Sequence, residues 1–93
     1  MSKQRYASVW DAIENTPLEA ANLKVRSALM IDIQEYIREQ NLTQTEAALR
    51  FGVTQPRVSD LMRGKIELFS VDTLINMLAA AGQDVEIRLR KAA

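Results

Sequence analysis

Residues 42–65 read LTQTEAALRFGVTQPRVSDLMRGK and predict a helix, a tight turn at Phe51-Gly52-Val53 and a second helix. Gly52 lies where the first helix must end and the chain must reverse, which requires a residue that adopts positive φ easily. Thr54 then begins the second helix, because its hydroxyl can accept a backbone N–H of the first turn. The residues expected to pack the two helices together are small or apolar: Ala47, Val53, Val58 and Leu61.

Capping signals predict where the helices of this pair begin and end. Thr43, with Glu46 three residues later, forms a capping box for a helix from about Gln44 to Arg50. The second helix runs from about Gln55 to Met62, and Gly64 ends it.

Two further helices are expected around the pair. The first begins at the capping box of residues 16–19, TPLE, and reaches about Gln40, with Leu29, Ile33 and Ile37 on its apolar face and Met30 and Tyr36 flanking it. The other begins at Ser70 and ends at Gly82, with an apolar face made of Val71, Leu74, Ile75 and Leu78. Residues 1–14 are expected to be a loosely ordered arm with a small apolar group, Val9, Trp10 and Ile13, at the spacing of one helical turn.

The tail has a different period. Residues 84–90, DVEIRLR, alternate polar and apolar side chains, which is typical of a half-buried strand. A lone strand cannot satisfy its own backbone groups, so we expect a partner, either the same strand of a second copy or an edge strand of another protein. The expected fold is therefore all-α, a domain of about five helices with one short C-terminal strand that pairs between chains through Val85, Ile87 and Leu89. Residues 15–93 are expected to hold the folded domain and this strand.

Composition excludes several classes of function. The 93 residues include neither cysteine nor histidine, which removes thiolate metal sites, the usual zinc ligands and the commonest general base. We therefore expect no enzymatic activity, no metal and no cofactor. No apolar run approaches the roughly 18 residues of a membrane span, and the N-terminus lacks a signal-peptide pattern, so the expected location is the cytoplasm.

The charges balance overall but not locally. Lys and Arg number 12, as do Asp and Glu. Residues 43–65 carry four basic side chains against two acidic ones, whereas each flanking region has one acidic residue in excess. A modest positive excess confined to the helix pair suits a DNA-binding face whose non-specific grip on phosphates is weak. Four residues point away from the contact between the helices and are placed to meet the edges of DNA bases: Gln55, Arg57, Ser59 and Asp60.

The run from Leu42 to Lys65 resembles the helix-turn-helix of the lambda repressor and Cro superfamily, the XRE family. The LTQ opening, the Gly-Val turn and the ending TQPRVSDLMRGK carry the resemblance. Together with Phe69-Ser70 and the terminal DVEIRLR, the pattern is similar to small XRE-type regulators that include HigA-type antitoxins. The resemblance covers roughly residues 15–90.

The resemblance implies roles by position. Gln55 would bind adenine through two hydrogen bonds, and Arg57 would reach guanine or a phosphate. Ser59 would make a secondary, weaker contact to a base. Gln44 would bind a phosphate and brace the reading helix. The other phosphate contacts would come from Thr43, Arg63 and Lys65. Asp60 departs from the pattern, since phosphates repel a carboxylate unless it pairs with Arg57 or Arg63 or accepts from cytosine N4.

Each role has a plainer alternative. Gln55, Arg57 and the strand's Arg88 and Arg90 can be solvated surface residues, and Gln44 can belong only to the capping region. Arg63 and Lys65 can simply be cations favoured at a helix C-terminus.

Two functions follow from the resemblance. The first is a homodimeric, sequence-specific repressor on a palindromic operator. The second is a protein-binding module, an antitoxin that neutralises a ribonuclease-type toxin through Val9, Trp10 and Ile13 or through the terminal strand. The two are compatible, because such antitoxins commonly repress their own operon. A descendant of the fold that no longer binds DNA is a further alternative.

Overall fold

A computed structural model describes residues 17–91, and this part of the chain contains four α-helices. They are α1 (Pro17–Glu39), α2 (Gln44–Phe51), α3 (Gln55–Met62) and α4 (Val71–Ala80), with a short 3₁₀ helix at Ile66–Leu68 between α3 and α4. The sequence predicted these helices to within two residues at each end. The apolar group at Val9, Trp10 and Ile13, and the arm that contains it, lie outside the described residues.

Local hydrogen bonds explain the helix starts. The capping box before α2 is complete, because Thr43 Oγ1 accepts from Glu46 N at 3.1 Å and Thr43 N donates to the Glu46 carboxylate at 2.8 Å. Thr54 and Ser70 cap α3 and α4 by accepting from the backbone N–H three residues later. Gly52 ends α2 at φ +70°, in the left-handed region that the turn required.

The core lies where α1, α2, α3 and α4 meet. α1 packs against α4, α2 packs against α3 and α4, and α3 also contacts α1. The predicted packing residues Ala47, Val58 and Leu61 are buried, and Val53 is partly buried against them. Four buried side chains of the core were not predicted from the sequence: Ala48, Phe51, Phe69 and Met77. Phe51 and Phe69 belong to a helix end and a loop, where no periodic pattern marks the buried side.

The first half of α1 extends beyond the core. The buried residues of this helix begin at Met30 and continue with Ile33 and Ile37. Leu18, Leu23 and Val25 precede them and are exposed. None of the four helices is both long and apolar enough to cross a membrane.

The prediction of a C-terminal strand is wrong. Residues 83–91 have no regular secondary structure, and residues 17–91 contain no strand. Val85 packs partly against the core, while Ile87 and Leu89 are 70% and 94% exposed. The alternating pattern reports only the directions in which side chains point, whereas a strand also needs a neighbouring strand to satisfy its backbone. The fold is therefore all-helical, with four α-helices in the described residues instead of about five and a strand.

Candidate nucleic-acid interface

Two consecutive short helices, α2 and α3, form the candidate interface. Only Gly52, Val53 and Thr54 connect them, and the two helices pack against each other. An α-helix with its side chains is about 10–12 Å in diameter, close to the width of the DNA major groove, so α3 can enter such a groove. The side chains that α3 does not use in the core are therefore the ones available to a groove.

α1 holds the carboxyl end of α3. Gln34 Nε2 donates to the backbone carbonyl of Leu61 at 2.8 Å. This carbonyl also accepts from Gly64 N at 3.0 Å, so Gln34 adds a second hydrogen bond at a helix end whose carbonyls have no partner within the helix. Sequence analysis assigned no role to Gln34, because its partner lies 27 residues along the chain.

The amino end of α3 is held by α2 through Gln55. The Gln55 side chain is exposed, and its Nε2 donates to Thr45 Oγ1 at 2.8 Å. The sequence analysis expected Gln44 to brace the reading helix. The structure shows a bond from Gln55 to the next residue, Thr45, which no sequence signal had singled out, and the role of Gln44 at a phosphate stays a prediction.

Arg57 has an intramolecular partner as well. Its guanidinium carbon lies 4.4 Å from the centroid of the Phe69 ring, a cation–π contact. Phe69 is 1% exposed and immediately precedes the cap of α4, so Arg57 connects α3 to the loop that follows it. This partner was not visible in the sequence, because no local pattern relates position 57 to position 69.

Asp60 joins the two cations that follow α3. Its Oδ1 lies 3.1 Å from Arg63 Nη2 and 3.8 Å from Lys65 Nζ. The pairing with Arg63 is one of the two that the sequence offered as a reason to tolerate a carboxylate here. Arg63 and Lys65 remain 60% and 42% exposed, so these ion pairs stabilise the fold only weakly and leave both cations accessible.

The remaining predicted contacts lie at the amino end of α2 and within α3. Thr43 and Gln44 are exposed, and Ser59 is half-buried. Thr43 Oγ1 accepts the capping bond, which leaves its hydroxyl hydrogen free to donate. The amino ends of α2 and α3 are adjacent through the Thr45–Gln55 bond. This arrangement places the positive ends of two helix dipoles beside one another, where an anion is favoured.

A groove lies apart from this interface, between α1, α4 and the C-terminal tail. Its volume is about 680 Å³, and its apolar lining includes Val25, Leu29, Ile75, Ile87 and Leu89. Lys24, Asp32, Glu86, Arg88 and Arg90 also line it. The tail residues predicted for a dimer contact, Val85, Ile87 and Leu89, are thus brought together with apolar side chains of α1 and α4.

Comparison with known proteins agrees with this geometry. Residues 13–90 match a family model described as a helix-turn-helix domain. A solved structure named as an XRE family transcriptional regulator is similar, with a TM-score of 0.72 and 39% sequence identity over 80% of this chain and 83% of the other. Among curated proteins, none is significantly similar to this chain.

Proposed function

Because the chain belongs to the helix-turn-helix domain family and is an XRE-type DNA-binding transcriptional regulator, we propose that it is a repressor that reads a palindromic operator as a homodimer. The observation that carries the proposal is the position of the Gln55 side chain and the hydrogen bond that holds it. This exposed amide is at the amino end of α3 and is held there by a 2.8 Å bond to Thr45. A recognition helix contacts base edges with its amino-terminal residues.

The proposed contacts divide into two groups. Gln55, Arg57 and Ser59 would contact bases, and Thr43, Gln44, Arg63 and Lys65 would contact phosphates. Gln55 is exposed, as are the proposed phosphate contacts Thr43, Gln44 and Arg63, and Lys65 is partly buried but still accessible, so all five can reach DNA. Arg57 would leave Phe69 or reach past it, since the ring holds its guanidinium in the free protein.

Homodimerisation is proposed through the apolar groove between α1, α4 and the tail. A two-fold contact places each residue against a symmetry-related surface, so a patch with both charge signs can pair with itself. The rim of the groove offers Lys24, Arg88 and Arg90 together with Asp32 and Glu86. Val85, Ile87 and Leu89 would contribute side chains to this contact from a tail without strand structure. Two reading helices about 34 Å apart would then enter successive major grooves.

The test is a fluorescence-anisotropy titration against the protein's own promoter and a scrambled duplex of the same composition, at about 0.15 M salt. We expect tight binding to the promoter alone. Gln55→Ala, with unchanged circular dichroism, is expected to remove most of the preference. Equal, weak binding to both duplexes by the wild-type protein would contradict sequence-specific repression.

A second role, neutralisation of a ribonuclease-type toxin, is favoured by the first half of α1. Leu18 is 74% exposed and Leu23 is 43% exposed, and both lie outside the core. Isolated apolar residues are common on surfaces, but two on one helical segment offer a contact for a partner protein. Where a neighbouring gene encodes a ribonuclease, the test is growth of cells that express that ribonuclease together with this protein. Leu18→Asp/Leu23→Asp should abolish rescue while promoter binding persists, and rescue by the double variant would contradict this surface.

A further inference from the structure

We propose that Thr45 is a positioning residue that fixes the Gln55 amide for adenine and against guanine. The inference rests on the proposed function and refines it. Gln55 Nε2 donates to Thr45 Oγ1 at 2.8 Å, and neither residue is buried. Thr45 therefore acts on DNA through Gln55.

Hydrogen-bond accounting gives the base preference. A glutamine amide has two N–H donors on its nitrogen and one acceptor oxygen. The bond to Thr45 occupies one N–H, which leaves one donor and one acceptor for a base. In the major groove adenine offers one acceptor, N7, and one donor, the N6 amino group, whereas guanine offers two acceptors, N7 and O6. The braced amide matches adenine at both positions and guanine at only one.

The local structure around Thr45 holds its hydroxyl in place for the bond to Gln55, which we call the brace. Its β-branched side chain has restricted χ1 freedom, and it lies in the first turn of α2, between Thr43 and Glu46, which form the doubly bonded cap. The hydroxyl is thus held by a well-anchored backbone. Gln55 would otherwise lose side-chain entropy on binding a base, and the brace removes part of that loss before DNA arrives.

Thr45→Val and Thr45→Ser separate the hydroxyl from the shape of the side chain. Both are titrated against operators that carry A·T or G·C at the base pair that Gln55 contacts. Thr45→Val is expected to lower the preference for adenine by roughly two- to ten-fold, the worth of one hydrogen bond, while Thr45→Ser retains it. The slope of affinity against salt should stay unchanged, because no phosphate contact is lost.

The same substitution in a Gln55→Ala background is the decisive control. Thr45→Val should then have no effect on DNA binding, because the residue acts only through Gln55. An equal loss in both backgrounds, with a flatter salt dependence, would instead make Thr45 a direct phosphate contact and overturn the proposal. An unchanged adenine preference in Thr45→Val would also overturn it.

NMR of the free protein tests the brace without DNA. The side-chain amide of Gln55 should have a higher NMR order parameter than that of an exposed glutamine such as Gln44, and Thr45→Val should remove that difference. Equal order in the wild-type protein would refute the brace itself. If the wild-type protein preferred no base pair, the proposed function would fail together with the reading role. Specific wild-type binding that Thr45→Val leaves intact would overturn only the positioning role.

Discussion

Individual side chains of the interface are already engaged before DNA is present. Gln55 is bonded to Thr45, Arg57 lies on Phe69, and Asp60 holds the cations that follow α3. Such contacts reduce the freedom of long side chains, so less conformational entropy remains to be lost on binding. On DNA binding, Arg57, Arg63 and Lys65 would exchange these partners for DNA, whereas Gln55 would keep its bond to Thr45.

Arg57→Ala and Arg63→Ala should have different consequences. Arg57→Ala is expected to lower specific affinity by about 1–3 kcal/mol and to blur the preference at one base pair. Arg63→Ala should weaken binding to all sequences similarly and flatten the salt dependence. Anisotropy titrations over a salt series measure both effects. If both variants lost affinity equally for every sequence, the division into base and phosphate contacts would be wrong.

Asp60→Asn should strengthen binding. The substitution removes a carboxylate that repels phosphates and releases Arg63 and Lys65, whose exposed ion pairs are individually weak. We expect a few-fold gain in affinity for operator and scrambled duplexes alike, with a steeper salt dependence in the same titrations. A selective loss of operator affinity would show instead that Asp60 accepts a hydrogen bond from a cytosine.

At the scale of elements, the presentation of α3 depends on contacts at both of its ends. Gln34 of α1 binds the carbonyl of Leu61 near the carboxyl end, and Thr45 of α2 holds Gln55 at the amino end. The connection before α3 includes Gly52 at φ +70°, which sets the direction in which the helix leaves α2. An isolated eight-residue helix is unstable in water, so these contacts and the core hold it in place.

Gly52→Ala tests the turn. A Cβ at this position would lie 3.8 Å from the Ala80 Cβ, an ordinary contact, so the cost comes from the left-handed backbone alone. We expect the free energy of unfolding to fall by about 1–2 kcal/mol in urea denaturation. Gly52→Asn is the matched control and should lose less, since asparagine tolerates this conformation better. Equal losses in the two variants would point to a different cause.

At the scale of the whole molecule, the surface proposed for DNA and the surface proposed for a second copy lie apart. The amino ends of α2 and α3 are adjacent to each other, whereas the apolar groove lies between α1, α4 and the tail. The two surfaces involve different residues, so a dimer formed through the groove leaves both reading helices accessible. Operator affinity should then depend on protein concentration through dimer assembly.

Ile87→Asp tests the dimer contact. Ile87 is 70% exposed in the single chain and lines the groove, so a charge there should cost little folding stability but disfavour association. Sedimentation equilibrium is expected to show a dimer for the wild-type protein and a monomer for the variant. Leu49→Asp, which changes an 81% exposed residue of α2 outside the groove, should leave the dimer intact. A dimer that persists in Ile87→Asp would exclude this contact.

The sequence alone determined the helix boundaries and most of the core. Capping bonds such as those of Thr43 and Ser70 join residues three apart, and Gly52 acts within its own turn, so each signal is complete in a short window. The buried stripe of α1, with Ile33 and Ile37, follows from helical periodicity for the same reason.

Only the tertiary structure decided which side chains hold the reading helix and what the tail becomes. Thr45, Gln34 and Phe69 meet α3 across 10, 27 and 12 residues of chain, respectively, and such contacts depend on how the helices are oriented against one another. The tail has the alternation of a strand but no neighbouring strand in the described part of the chain. A helix satisfies its backbone from its own sequence, whereas a strand depends on a partner that its own sequence does not specify.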